Sequence, residues 1–443
     1  MRDMESLHQH TAFLCGHFTI PTSHPSVDLI NYGWEQFHLP DGVRDIQKRY
    51  FYPEFVDFCY ANSYGSACVR FVKLVNSPME ITIHGNNIQY EIKELTLYLM
   101  PFNIVMYSIH LELETSNLND CTALLSSLRT IDFYSEIHQT FVEKAVQPIV
   151  EVYTLLKGKA PIHTTDIIEN GNKLRIFQVV NSHDEEMRTL PVDQKDLVLY
   201  QLATVSKITQ PGVIDEFSAS ESYFNKIIKQ SKISVFQNWS GMALMDTFTI
   251  HAFDAESHLL NNWTDSYFRM IYIHAIYQKS YLFNLNMRFR EILKQPVSSW
   301  NSVLQSLNLK KTAVGRLVDE YEDFEQKCCF HKISYNFLPL EIASAIDRGL
   351  NIREEMQQLY KIIEKENKRK EEAKDNTVNT LLFSLSLLTL FSAIWDINSM
   401  INAMYPYEDW QIPVKIGYRI VALSLIVVVS FLLFLVYRRK KDD

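Results

Sequence analysis

Two long apolar stretches stand out at the C-terminal end of this 443-residue chain. Residues 376–395 contain no charged side chain, and a second uncharged run extends over 420–437. A helix needs about 20 predominantly apolar residues to cross the hydrocarbon core of a bilayer, and both runs approach that length. The pattern predicts a first transmembrane helix at 376–398 and a second at 416–438; the alternative for each is a buried core helix.

Basic side chains lie before the first stretch and after the second. Five lysines and arginines occur within 365–374 and four within 438–441, whereas the linker 399–415 holds only Lys415 beside Glu408 and Asp409. Lys and Arg are enriched in the cytosolic flanks of membrane helices. Both termini are therefore predicted to be cytosolic, with 399–415 as an outer loop and 439–443 as a basic cytosolic tail.

The segment before the first stretch has a strongly helical composition. Residues 351–375 read NIREEMQQLYKIIEKENKRKEEAKD and contain neither glycine nor proline. Straight-chain charged residues have high helix propensity, whereas glycine lowers it. Residues 341–375 are therefore predicted to form a stalk helix that continues into the first apolar stretch, with a break expected at Gly349.

Small and polar residues recur along one face of the first stretch. They follow the alternating steps of four and three residues of a coiled-coil seam: Asp375, Asn379, Leu382, Ser386, Thr389, Ala393 and Asp396. Polar groups at membrane depth normally face a protein interior or a water-filled path. Two helices per chain cannot enclose such a path, so the stripe, with Asn398 after it, predicts a pore inside a ring of identical subunits. Alternatively, the hydroxyls bond back to their own helix or support close helix packing.

The first half of the chain alternates apolar and polar residues in short runs. Strand-like runs occur at 66–75, 79–83, 88–91, 95–98, 104–114 and 174–180, with a hairpin turn expected at 84–87. Residues 1–215 are predicted to be an α+β cytosolic domain, and 216–340 a helical cytosolic region with long helices at 266–293 and 301–330. The predicted fold class is an α+β cytosolic domain followed by a helical stalk and two C-terminal transmembrane helices.

The end of the first apolar stretch carries a family resemblance. It reads Leu-Thr-Leu-Phe-Ser-Ala-Ile-Trp over 388–395, followed by Asp-Ile-Asn over 396–398. This resembles the CorA magnesium-transporter superfamily, whose corresponding helix ends in Leu-Thr-x-x-Ala-x-Ile-Tyr before Gly-Met-Asn. A second segment, 324–334, resembles a stretch of some CorA-like bacterial proteins. The likeness covers roughly the last third of the chain, and Asp396 and Ile397 depart from the Gly-Met signature.

The resemblance implies a membrane assembly and a metal-binding pore mouth. A CorA-like homo-oligomer, pentameric by analogy, would sit in the bacterial inner (cell) membrane. In the family the Asn of the signature contacts hydrated magnesium, so Asn398 and Asp396 are the expected metal residues. The extra carboxylate of Asp396 changes the electrostatic field at the predicted pore mouth. A divalent cation is therefore expected there, which is Mg²⁺ or another ion of that charge.

Charge, cysteines and motifs narrow the alternatives. The formal net charge of −9 does not suggest a nucleic-acid-binding surface, so no nucleic-acid partner is predicted. The six cysteines form no CxxC pair and no Cys/His cluster with zinc-ligand spacing. The sequence has no P-loop, no GxSxG and no HExxH motif. The chain is therefore not predicted to be an enzyme, and no catalytic residue is assigned.

The sequence leaves three possible functions open. The enlarged cytosolic body resembles the CorA-like branch of bacterial type III CRISPR loci. That resemblance implies an oligomeric channel gated by a nucleotide messenger of the S-adenosylmethionine–AMP (SAM-AMP) type in antiviral defence. The alternatives are a constitutive divalent-cation (Mg²⁺) transporter and a tethered soluble domain. An anionic messenger needs cationic and aromatic groups. By residue type, the candidates are Arg44, Lys48, Arg49, Tyr50, Arg70 and Lys73.

Overall fold

The structure of the chain is a computed structural model. It describes residues 8–365 except 22–28, 64, 66, 132–134, 162, 164–165, 169–172, 210–218, 254–263, 265–267 and 295–314. Beyond residue 365 it describes positions 368, 382, 383, 385, 386, 389, 392 and 399. The chain divides into two compact units, Met1–Lys361 and Ile362–Asp443, and the first of them contains the whole β-sheet.

A nine-stranded mixed sheet forms the centre of the first unit. Its strands are β1 (His8–Thr19), β2 (Glu35–Gln36), β3 (Val69–Ile83), β4 (Asn86–Met100), β5 (Ile104–Thr115), β6 (Arg175–Ser182), β7 (Lys232–Ile233), β8 (Trp239–Ala243) and β9 (Thr247–Phe253). The spatial order is β2-β3-β4-β5-β1-β6-β9-β8-β7. All neighbouring pairs are antiparallel except β6 and β9, which run parallel.

Helices cover the sheet and connect its strands. The first eight are α1 (Asp41–Tyr50), α2 (Pro53–Cys59), α3 (Leu118–Leu128), α4 (Gln139–Phe141), α5 (Gln147–Lys157), α6 (Glu185–Thr189), α7 (Val192–Thr204) and α8 (Glu221–Ser231). Four more follow the last strand: α9 (Arg269–Lys294), α10 (315–328), α11 (Phe337–Leu350) and α12 (352–365).

The alternating pattern between 66 and 114 forms a three-stranded meander, as its periodicity predicts. The four runs at 66–98 merge into the two 15-residue strands β3 and β4, because each short interruption is a bulge rather than a turn. His84 and Gly85 form the connecting turn with φ of 51° and 84°, the positive values that a two-residue hairpin turn requires.

Apolar side chains cover both faces of the sheet. On one face, Phe13, Phe177 and Phe248 stack across β1, β6 and β9 with ring centroids 5.4 Å apart at each step, and Tyr272 of α9 packs on Phe177 and Phe248. The opposite face belongs to a continuous core that includes the buried residues of α3 and α5. With both faces covered, the central strands β1, β6 and β9 are almost wholly buried, including polar residues such as Gln178 and His251.

The prediction of a CorA-like fold with two transmembrane helices is wrong. The described residues form a mixed nine-stranded sheet with helices, and no helix among them is both long and apolar enough to cross a membrane. The longest of them, α9, has 26 residues but carries charged side chains along its length. The inferences that depended on membrane helices, namely an ion channel, cation transport, a homopentamer and a CRISPR antiviral role, are withdrawn with it. Most of 376–398 and all of 400–443 lie outside the described residues.

Two further expectations about helices need correction. The sequence predicts a helical region over 216–340, but this region supplies strands β7, β8 and β9 to the sheet. The predicted stalk helix is interrupted, because Asn351 adopts a left-handed conformation with a φ of 56° and ends α11 before α12 begins. The break expected at Gly349 therefore occurs two residues later. Residues 369–375 of the predicted stalk lie outside the described residues.

Candidate functional site

The predicted ligand-binding residues of α1 are engaged with their own domain. Asp57 of α2 accepts an ion pair from Arg44 at 3.1 Å and one from Lys48 at 2.8 Å. Arg44 also donates to the carbonyl of Tyr60 at 2.7 Å. Arg49 is exposed beside them on α1. These contacts join α1 to α2 and leave Arg44 and Lys48 partly neutralised.

The other three predicted residues separate from this group. Arg70 lies under aromatic rings, with its guanidinium carbon 4.4 Å from the centroid of Phe37. Lys73 lies three residues further along β3, and its Nζ donates to the carbonyl of Tyr32 at 3.0 Å. Tyr50 exposes its ring, while its carbonyl accepts from Ser334 Oγ at 2.6 Å. The six predicted residues therefore do not converge on one site.

Three of the predicted pore-lining residues lie in the part of the chain that the structure describes. Ser386 Oγ donates to the carbonyl of Leu382 at 2.8 Å, and Thr389 Oγ1 donates to the carbonyl of Ser386 at 2.8 Å. Both hydroxyls thus bond back to their own helix, which is the alternative that the sequence left open. The remaining predicted residues lie outside the described positions, namely Asp375, Asn379, Ala393, Asp396 and Asn398.

A cleft along the second half of α9 is the most developed candidate site. We call it the α9 cleft; its volume is about 610 Å³. Its lining comes from β1, the β4–β5 turn, α9 and α10, segments that are far apart in the sequence. The residues that give it chemical character are Phe102, Asn103, Tyr281, Asn284, Arg288 and Glu320.

The β4–β5 turn reaches this cleft in a strained conformation. Phe102 and Asn103 have φ values of 58° and 63°, and a positive φ is uncommon for a bulky aromatic residue. The turn is held from two sides, since Ile20 donates its N–H to the Asn103 carbonyl at 2.8 Å and Tyr277 donates its hydroxyl to the Pro101 carbonyl at 3.3 Å. Such strain persists where the surroundings enforce it and is frequent at ligand sites.

Aromatic rings form one wall of the α9 cleft. The Tyr281 ring stacks on Phe324 of α10 at 3.8 Å and lies 5.0 Å from the ring of Phe102. The Tyr281 hydroxyl donates to the carbonyl of Glu320 at 3.1 Å. Burial, followed by the negative charge of Glu320, raises the pKa of Tyr281, so the hydroxyl stays protonated. The wall is therefore rigid and neutral; the Tyr281 ring is buried against Phe324, and Phe102 is its partly exposed ring.

A bidentate ion pair closes the far end of the cleft. Arg288 donates through Nη1 to Glu320 Oε1 at 2.6 Å and through Nη2 to Oε2 at 2.8 Å. The hydrogen bond that Arg288 donates to Glu320 is the largest of the effects that raise the pKa of Arg288. Because the two charges cancel, this end offers oriented donors and acceptors rather than a strong net charge.

An amide without a partner lies between the aromatic wall and the ion pair. The Nδ2 atom of Asn284 is buried, and no described residue accepts a hydrogen bond from it. A buried amide donor left unpaired costs roughly 1–3 kcal/mol, so most such groups find a partner. The arrangement therefore provides one free donor beside a flat aromatic surface.

Metal chemistry is not indicated in the described part of the chain. No cluster of three or more His, Cys, Asp or Glu side chains with metal-binding geometry occurs among those residues. The predicted metal residues Asp396 and Asn398 are outside that set. The six cysteines are free thiols, and five of them are buried.

The sequence held a weak signal for the β4–β5 turn and none for the cleft. The strand pattern places a turn near residue 101, but nothing in it reveals that Phe102 would meet α9 and α10. In the sequence, Glu320 is one of five acidic residues within 319–325, a pattern typical of a solvated helix face. The cleft is a product of contacts between segments that are distant in the sequence; Phe102 and Tyr281, for example, are 179 positions apart.

Comparison of the chain with protein-family models, with curated proteins and with solved structures finds no match. The CorA resemblance of the C-terminal residues therefore stays a sequence-based prediction. The function of the first unit has to be inferred from the chemistry of its own residues.

Proposed function

We propose that the first unit is a ligand-sensing module whose α9 cleft binds the nucleoside part of a small nucleotide messenger. The observation that carries the proposal is that the Asn284 amide, which has no partner among the described residues, shares a cleft of about 610 Å³ with the partly exposed Phe102 ring. A nucleobase offers both a flat face and hydrogen-bond acceptors on its edge, which are the two complements of this arrangement.

Size and stacking favour a ligand of this class. Small-molecule sites commonly have volumes of roughly 300–1,000 Å³, which includes the α9 cleft. Stacking of a base on an aromatic side chain contributes about 1–3 kcal/mol. A base would stack on the half-buried Phe102 ring, which the buried Tyr281 ring, 5.0 Å away at a 56° angle, holds in position. Both rings are held in place before a ligand arrives.

The amide adds selectivity to the stacking. Asn284 Nδ2 would donate to a ring nitrogen or exocyclic oxygen of the base, and the unpaired donor would then be satisfied. This hydrogen bond should contribute on the order of 1 kcal/mol to the free energy of binding. The free protein carries the cost of the unpaired donor, and binding of the base removes it. Bases without an acceptor at that edge would bind more weakly.

The Arg288–Glu320 ion pair determines which ligand charge the α9 cleft prefers. Arg288 is held by Glu320, so a phosphate would have to share or displace a bidentate carboxylate partner. The α9 cleft should therefore prefer ligands with little net negative charge over triphosphates. A conjugate of S-adenosylmethionine and AMP is one member of this class, and adenosine is its simplest probe.

Thermal unfolding of the purified chain tests the proposal. Adenosine, AMP, ATP, S-adenosylmethionine and, as the messenger, SAM-AMP are titrated against the wild type and two variants. A ligand at 100 times its dissociation constant stabilises the folded state by about 2.7 kcal/mol, which gives a measurable rise in Tm. Asn284→Ala should weaken binding about tenfold, as expected for losing roughly 1.4 kcal/mol.

Asn286→Ala is the matched control for that experiment. Asn286 lies on the same helix, carries a buried amide oxygen without a partner among the described residues, and does not line the α9 cleft. The control should bind like the wild type. The proposal fails if none of these compounds raises Tm, or if both variants lose affinity equally.

A further inference from the structure

Two buried cysteines lie close together where α2 ends and β3 begins. Cys59 is the last residue of α2, and Cys68 directly precedes β3. Both line a small cavity between these elements and the first half of α9, with a volume of about 20 Å³. That is room for about one water molecule, so the residues that line it are close neighbours. None of them lines the α9 cleft.

Backbone hydrogen bonds hold the two cysteines side by side. Cys68 donates its N–H to the carbonyl of Phe58 at 2.8 Å, and Ala61 donates its N–H to the Cys68 carbonyl at 3.0 Å. The Phe58 carbonyl belongs to the peptide bond that joins Phe58 to Cys59. Standard peptide dimensions then keep the Cα atoms of Cys59 and Cys68 within about 7 Å of each other, and disulfides usually span Cα distances of about 4.4–6.8 Å. The backbone therefore places the two thiols within reach of a disulfide.

The electrostatics of the two thiols agree with this proximity. Burial raises the pKa of the Cys59 thiol, and a negative charge on Cys68 raises it further. Burial also raises the pKa of Cys68 to about 12, while the Arg70 guanidinium opposes the rise at both thiols. Both thiols are therefore protonated at neutral pH, and their oxidation is expected to be slow, because the thiolate is the more reactive form.

We propose that hydrogen peroxide oxidises Cys59 and Cys68 to a disulfide that fixes the end of α2 to the start of β3. One thiol attacks a peroxide oxygen, the O–O bond breaks, and a sulfenic acid and one water molecule form. The other thiol then attacks the sulfenic sulfur, the S–O bond breaks, and a second water molecule leaves. Two thiols are thereby oxidised to one disulfide, and one hydrogen peroxide is reduced to two molecules of water.

The size of the cavity selects the oxidant, and the position of the bond determines its effect. A space of about 20 Å³ admits a molecule close to water in size, such as hydrogen peroxide, and excludes a bulky disulfide such as oxidised glutathione. The cross-link joins residues nine positions apart in the sequence, so it restricts the unfolded chain. Because Asp57 of α2 pairs with Arg44 and Lys48, the cross-link also fixes α1.

Thiol mapping after peroxide treatment tests the proposal on the full chain. The reduced protein is incubated overnight with hydrogen peroxide, with oxidised glutathione or without oxidant, then denatured, alkylated with N-ethylmaleimide and digested for mass spectrometry. Cys59 and Cys68 should be joined after peroxide, and separately alkylated after the other two treatments. The peroxide-treated protein should have a Tm about 3 °C higher than the reduced protein, and dithiothreitol should reverse the shift.

Single substitutions separate this cross-link from other effects of peroxide. Cys59→Ala and Cys68→Ala should each abolish the rise in Tm. Cys121→Ala is the matched control, because it removes a fully buried thiol of α3 that does not line the cavity, and it should still form the cross-link. Recovery of both cysteines as free thiols after peroxide, or of either joined to a different cysteine, overturns the proposal and needs no variant to fold. A Tm rise that persists in Cys59→Ala overturns it as well.

Discussion

Gly349 allows α11 to approach the sheet more closely than any other residue would. A Cβ atom at this position would lie 2.5 Å from the carbonyl oxygen of Ala243 on β8 and 2.7 Å from its carbonyl carbon. Ordinary contact begins at 3.4 Å, so Gly349→Ala requires a displacement of roughly 0.9 Å between α11 and β8. Both obstructing atoms belong to the backbone, and neither can turn away as a side chain would.

The expected loss of stability follows from two opposing effects. Forcing an extra methyl group into a closely packed contact costs about 1–3 kcal/mol. Replacing glycine by alanine inside a helix returns about 1 kcal/mol. We expect Gly349→Ala to lower the free energy of unfolding by roughly 1–2 kcal/mol, since the rigid backbone contact places the cost toward the upper end.

Gly42→Ala is the matched control, because Gly42 is also helical and a Cβ there meets nothing within 4 Å. It should leave stability unchanged or raise it by up to about 1 kcal/mol. Urea unfolding of wild type and both variants measures the two differences, and equal m-values confirm that the unfolded reference is unchanged. If Gly349→Ala is as stable as Gly42→Ala, the close approach of α11 to β8 is refuted.

The remaining predictions concern the buried charges and histidines. Glu94→Ala should cost on the order of 3 kcal/mol, because it leaves Arg269 without its carboxylate in a buried position. The surface control Glu91→Ala should cost less than about 1 kcal/mol, and urea unfolding that finds equal losses would contradict the argument. Burial lowers the pKa of four histidines to about 4 or about 3, namely His10, His17, His251 and His274. The contribution of these neutral histidines to stability is fully present above pH 6.5, the ordinary pKa that they have in the unfolded chain. It is lost as the pH falls through their lower pKa values in the folded state. Unfolding free energies measured from pH 7 to pH 4 should fall by several kcal/mol, and a flat profile would contradict the burial of these rings.

The β3–β4–β5 meander could be predicted from the sequence because its strands pair with their nearest neighbours in the chain. The alternation of apolar and polar residues and the His84-Gly85 turn are local signals. The strand pairs that form from them, β3–β4 and β4–β5, are also local in the sequence. The helix expected at 266–293 also occurs, as α9. Strands β1, β8 and β9 escaped prediction. The neighbours of β1 are β5 and β6, and β9 pairs with β6, so these contacts join segments that lie far apart in the sequence. Strands β8 and β9 form a local hairpin, but it lies in a region that was predicted to be helical.

The candidate site shows the same division between local and distant information. Arg70 was predicted as a ligand-binding residue by its type, and the structure places it with Arg269 in the lining of a cavity of about 20 Å³ between β3, β4 and α9. Its partner Arg269 could not have been linked to it, because 199 positions separate the two and no local pattern joins them. The α9 cleft was likewise invisible, since Phe102, Tyr281 and Glu320 meet only after the sheet and helices have packed.

By itself, the sequence determined the local elements: the hairpin between β3 and β4, the long helix α9 and the absence of known catalytic motifs. Only the tertiary structure decided the strand order, the left-handed break at Asn351 and the position of each charged side chain. The physical reason is that periodicity and propensity act over a few residues. The cost of burying Arg70, Arg269 or an unpaired amide depends on groups that folding brings from distant parts of the chain.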